Sequence, residues 1–226
     1  MNKDLRQSGF TIIELMISIG VFSVILVLCS ATLITVGRQF QKASISTTTQ
    51  NVARLIMEDV TSQVQLSANA PQLITTDVGP YTIANTGDET KVICIGAIRY
   101  AFLIGWQLES TINNSKHQNM HVLWKDILTN QSNCAIPDLR IANPSGATGT
   151  NGKELMSVHT RLTSFNISTA VNNLVNIDVA VIYGDDDVLD NLSSFPSSIV
   201  GCLDEKAGGA FCAVSELHTT VIRRLS

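Results

Sequence analysis

The most constraining feature of this chain is the run from Leu15 to Gly37, which has no charged side chain. A single carboxylate, Glu14, heads it, and Arg38 closes it. From Phe10 to Gly37 the chain is long enough to cross a bilayer, which takes about 20 residues of helix. Such a segment must be covered by lipid or by other apolar helices. A carboxylate at mid-membrane costs about 2.5–3.5 kcal/mol, so an acid in such a span reads as functional, with a partner to be named. The plainer reading is an acid near the interface, tolerated at a helix start by the helix dipole. Upstream lies a short polar leader, Met1 to Ser8, carrying Lys3 and Arg6. Lys3 and Arg6 face Arg38 and Lys42 across the span, so charge alone does not orient it. A secretory signal peptide is the rival reading. It would have a shorter apolar core, with a small-residue cleavage site after that core.

Residue identities go further than hydropathy. Gly9, Phe10 and Glu14 follow the basic leader in the order Gly-Phe-Thr-Ile-Ile-Glu. Over residues 1–36 the chain resembles the processing and membrane segment of type IV pilins and pseudopilins. The resemblance implies that a prepilin peptidase cuts between Gly9 and Phe10, and that the new Phe10 amine is N-methylated. The leader, residues 1–9, would then be removed, and residues 10–37 would remain as the transmembrane and assembly helix. Phe10 and Glu14 are four residues apart and share a helix face. Methylation keeps the charge of an amine. Within a helix bundle, Glu14 of one subunit can therefore take the Phe10 amine of its neighbour. A buried charge without a partner is expensive, which favours correct docking.

The formal net charge is −4. From residue 70 onward there are ten Lys/Arg against fifteen Asp/Glu, a balance of −5. That argues against a surface built on phosphate contacts, so no direct nucleic-acid partner is expected. Of the five cysteines, Cys29 lies in the apolar span and reads as a small hydrophobe there. The other four, Cys94, Cys134, Cys202 and Cys212, suggest two disulfides in an exported domain, with three connectivities open. Cys202–Cys212 is favoured, because the intervening loop is short and Gly-rich and is similar to the disulfide-closed loop near the C-terminus of many pilins. Cys94–Cys134 would then be the other pair. No CxxC is present to suggest zinc.

Beyond the apolar run, the chain has no Pro or Gly from Arg38 to Ser67, and Pro71 gives a stop. Val52, Leu55, Ile56, Val60 and Val64 follow helical spacing. The expectation is one helix over about residues 10–67, about 85 Å long at 1.5 Å per residue. Ser44 to Gln50 is a possible joint, and Gly20 marks any local bend in the membrane half. Period-two alternation predicts strands at Ile98–Ile104, Val122–Lys125, Leu155–Ser168, Val175–Val181 and Leu217–Leu225. Turn-rich stretches separate them at Asn113–Asn119, Asn143–Gly152 and Leu192–Gly209. The expected fold class is α+β: residues 38–226 supply an amphipathic helix half and one antiparallel sheet packed on it.

Size and local motifs resemble the larger minor pilins of the PilW/PulJ type. These are Ala53-Arg54-Leu55-Ile56-Met57-Glu58-Asp59-Val60, then Ile98-Arg99-Tyr100 followed by Leu123-Trp124-Lys125, and a terminal Arg223-Arg224-Leu225. The absence of a proline in the membrane half points the same way. The resemblance implies no catalysis and no cofactor. It implies partners: other pilins or pseudopilins through the N-terminal helix, the prepilin peptidase, an inner-membrane assembly platform and the membrane itself. It also implies a single-pass protein of the inner membrane that passes into an extracellular filament or a pseudopilus. The expected role is a minor pilin that initiates a type IV pilus or sits at its tip. The alternatives are a pseudopilin of a type II secretion or competence machine, and a pilus-borne adhesin. Asp185, Asp187 and Asp190, around the Asp185-Asp186-Asp187 run, are a weak calcium candidate. Consecutive residues cannot all point at one ion, so a solvated turn is the preferred reading. His117 and His121 would share a face only in a helix, and their Asn-rich surroundings read as loop. There is no G-x-S-x-G, P-loop or HExxH. Trp106 and Trp124 read as core or edge residues.

Overall fold

A computed structural model describes residues 10–75, 90–108, 121–130, 134–139, 143–169, 173–189, 201–203 and 211–224. The chain divides into two compact units, Met1–Gln41 and Lys42–Ser226. One α-helix, α1 (Ile12–Leu66), runs through the boundary between them. It is followed by β1 (Gln72–Thr75), β2 (Lys91–Ile95), β3 (Ile98–Phe102), β4 (Leu123–Leu128), β5 (Gly149–Glu154), β6 (Thr160–Thr169), β7 (Leu174–Tyr183) and β8 (Ala213–Ile222). The class is α+β and pilin-like.

In the first unit every described residue of α1 is exposed. The hydroxyls there bond back to the preceding turn: Ser18 to Glu14 O, Ser23 to Ile19 O, Ser30 to Leu26 O, Thr32 to Leu28 O and Thr35 to Ala31 O. These bonds leave no hydroxyl in the apolar run without an acceptor, which is what a helix in lipid requires.

In the second unit the helix buries Thr49, Val52, Ala53, Ile56, Met57, Val60 and Val64. At 100° per residue these positions form a stripe about 140° wide. Leu55 falls about 60° outside it and is 65 % exposed, so it does not belong to the core face expected of it. Ser44 to Gln50 is helical throughout, with Thr47, Thr48 and Thr49 bonding back to Ala43, Ser44 and Ile45 carbonyls.

Two antiparallel sheets replace the single one expected. β1 to β5 form a five-stranded meander, and β6, β7 and β8 form a three-stranded one. They meet where Gly105 N–H donates to Leu162 O at 2.7 Å, beside an isolated bridge between Gln107 and Arg161. Phe165 of β6 packs edge-on against Phe102 and Tyr100 of β3. Helix, β2–β4 and β6–β8 share one core. A second small cluster (Ile182, Val188, Leu189 and Cys212) covers the far face at the end of β7. The Ile98–Phe102 alternation predicts one buried face, yet Arg99 and Ala101 are as buried as Tyr100 and Phe102. Two other expectations shift: β5 begins inside the Asn143–Gly152 turn stretch, and β6 starts only at Thr160, after a Ser157–Thr160 turn.

Arg99 is accommodated by acceptors at all three of its guanidinium nitrogens. It pairs across strands with Asp126, donating from Nε to Oδ1 at 2.9 Å and from a terminal nitrogen to Oδ2. Its other terminal nitrogen donates to Ala135 O at 2.8 Å and Thr148 Oγ1 at 3.3 Å. Gly149 passes so close that a Cβ there would collide with the Asp126 carboxylate, and a Cβ at Gly152 would collide with the Trp124 ring.

Candidate functional site

The N-terminal segment is built from Phe10, Thr11 and Glu14. Phe10 lies outside the helix and is 78 % exposed. Thr11 precedes the first helical residue, Ile12, and acts as its N-cap. Its hydroxyl accepts from Glu14 N–H at 3.4 Å, and its carbonyl accepts from Glu14 and Leu15 N–H at 3.1 and 3.2 Å. Glu14 therefore occupies the third helical position, where the dipole and the unpaired amides favour an anion. Thr11-x-x-Glu14 has the spacing of a capping box, of which the Thr11 half is made. Among the described residues, the Glu14 carboxylate has no hydrogen-bond or ion-pair partner. Gly9 lies outside the described residues.

The remaining site candidates fall in the second unit. Cys94 is bridged to Cys134 and Cys202 to Cys212, with Cα atoms 6.2 and 5.7 Å apart; Cys29 is an exposed thiol. Asp185 is engaged within the chain: it shares Oδ1 with His159 Nδ1 at 2.8 Å and with the Gln107 amide at 3.1 Å. Those two bonds, the His159 bond foremost, hold its carboxyl below the ordinary carboxylate range. Asp187 is exposed, and Asp190 and His117 lie outside the described residues. His121 bonds Glu154 at 3.2 Å. Trp106 and Trp124 are both buried in the core.

Three constellations join residues that the sequence offers only as separate motifs, as with Asp59, Tyr100 and Lys125, or does not mark at all. Asp59 on α1 accepts from the Tyr100 phenol at 2.7 Å and from Lys125 Nζ at 2.6 and 2.8 Å, fixing the helix to β3 and β4. Burial, reinforced by the bond and charge of Asp59, pushes the Tyr100 hydroxyl far above its ordinary range. Glu154 accepts from the backbone N–H groups of Val122, Leu123 and Met156. Arg161 donates to Gly105 O and to Gln107 where the sheets meet. Each pairs residues far apart in the chain, so no local spacing announces them.

The constellations of the second unit tie helix, strands and loops together. Among the described residues, no group of three His, Cys, Asp or Glu side chains is placed to hold a metal ion. A family model described as the prokaryotic N-terminal methylation motif matches residues 4–30. No curated protein and no solved structure matches the chain. The motif is the type IV pilin-like signal. Together with the long N-terminal helix and the antiparallel sheets, it indicates a pilin- or pseudopilin-like protein.

Proposed function

We propose that the chain is a minor pilin of the PilW/PulJ type that helps initiate a type IV pilus or sits at its tip. In this reading a prepilin peptidase cuts between Gly9 and Phe10, and the Phe10 amine is methylated. The helix then holds the subunit in the inner membrane, with residues 38–226 outside it, until an assembly platform moves it into the filament. The observation that carries the reading is the pattern of partners along the apolar helix. Every Ser and Thr from Thr11 to Thr35 is bonded within the helix, whereas the one carboxylate has no partner among the described residues. An ammonium at Phe10 of a neighbouring subunit supplies the missing charge. The two disulfides suit a domain in an oxidising compartment.

The test is to shear filaments from the native cell and quantify this subunit by mass spectrometry, reading its N-terminal peptide. A trace amount beginning at methylated Phe10 is expected. Dominance in the filament would make it the major subunit. Processed protein confined to the membrane would favour a secretion or competence pseudopilin. A mature protein still beginning at Met1 would overturn the reading.

A further inference from the structure

We infer that Thr11 is a positioning residue for processing: by capping α1 it keeps Phe10, and with it the carboxyl side of the scissile bond, out of the helix. The inference rests on the cleavage site proposed above. Proteases act on extended chain, because a helical peptide bond has its carbonyl and amide engaged and its flanks wound together. In this chain the helix has two candidate starts. Thr11 is one, with Glu14 three residues on. Ser8 is the other, an equally good capping residue type three positions upstream. A helix started at Ser8 would enclose Gly9 and Phe10 in its first turn. The observed start is at Thr11, and three bonds secure it: the hydroxyl to Glu14 N–H, and the carbonyl to Glu14 and Leu15 N–H. Only the hydroxyl bond depends on the Thr11 side chain. Glu14 also favours this start through the helix dipole, because a carboxylate is stabilising in the first turn. Moved to a Ser8 start, Glu14 would stand at the sixth position and lose that role. Thr11 and Glu14 together thus select a helix that begins just after the bond to be cut.

The test uses the full-length chain in detergent micelles with purified prepilin peptidase, following the cleaved fraction by N-terminal mass spectrometry. Thr11→Ala should slow cleavage by on the order of fivefold, the scale of one N-cap. Thr11→Ser should cleave at the wild-type rate. The discriminating variant is Thr11→Ala combined with Ser8→Ala, which removes the competing start and should restore cleavage. A wild-type rate for Thr11→Ala alone would overturn the inference. So would a double variant as slow as the single one, because the peptidase would then be reading the Thr11 side chain directly. A wild-type chain that is not cut at all would refute the cleavage assignment itself. That outcome is distinct from any difference among the Thr11 variants.

Discussion

Asp126→Ala tests the buried pair at the centre of the five-stranded sheet. Arg99 and Asp126 are both fully buried, and both carboxylate oxygens are used by the guanidinium. Removing the carboxylate leaves a cation in the core with only the Ala135 carbonyl and the Thr148 hydroxyl as acceptors. Breaking a buried pair from one side costs about 3–5 kcal/mol. For a domain of this size each kcal/mol moves the melting temperature by about 2–4 °C. The variant should therefore melt about 6–20 °C lower. Replacing both partners, Arg99→Met with Asp126→Leu, removes both charges and should recover most of the loss. It should fall short by about 1 kcal/mol, because the Ala135 carbonyl loses its donor. Denaturant unfolding of the full chain in micelles, read by tryptophan fluorescence, measures this in one unit only. Both tryptophans, Trp106 and Trp124, are buried in the second unit. A loss under about 1 kcal/mol for Asp126→Ala would refute the argument, as would a double variant no better than the single one.

Glu14→Ala should insert in the membrane normally, because it removes a charge from an apolar helix, yet it should be strongly depleted from sheared filaments; normal incorporation would end the charge-pairing account. Gly152→Ala should cost about 1–3 kcal/mol, the scale of overpacking, because its Cβ would enter space held by the Trp124 ring and the Ser145 hydroxyl; an unchanged unfolding midpoint would refute the clash. His218 is held by Asp178 at 2.7 Å and Glu216 at 3.1 Å, and the Asp178 bond, first among its causes, raises its pKa above the ordinary 6.5. Its contribution to stability is thus complete below about pH 6.5 and is lost as pH rises through the folded-state value. An NMR titration should place the His218 midpoint above that of Asp178→Asn, and equal midpoints would rule the carboxylate out as the cause.

The chain shows unevenly which of its features can be read in advance. The N-terminal segment is legible because its chemistry is contiguous: a leader, Gly9, Phe10, Glu14 and an uncharged run follow one another without help from any distant residue. The helix and the inward face of β7 are legible for a related reason. A regular period reports burial where one face alone is covered, as where buried Val175, Ile177 and Val179 alternate with half-buried Asn176 and Asp178. β3 breaks that condition. The core covers one side of it, and on the other Asp126, the Ala135 carbonyl and the Thr148 hydroxyl enclose Arg99, so Arg99 sits where alternation assigns solvent. Nothing within five residues of Arg99 names Asp126 as its partner. The Leu55 error has the same root, since a hydrophobic side chain one step off a stripe looks local while its environment is not.

Arg99 and Glu14 present the same physical problem and meet it differently. Each is an ionisable group among apolar neighbours. For Arg99 the chain supplies the countercharge and two further acceptors from its own strands and loops, so the group is closed and contributes to a single packing of the sheet. For Glu14 the described chain supplies a helix start, through Thr11, but no countercharge. A group that is costly alone and satisfied only from outside makes association conditional on the right neighbour in the right register. The apolar surface around it is exposed from Phe10 to Phe40 and carries no charge from Leu15 to Gly37, so it offers no countercharge of its own. In the proposed reading, selectivity in docking rests on the one carboxylate, carried by a helix that is apolar and internally hydrogen-bonded.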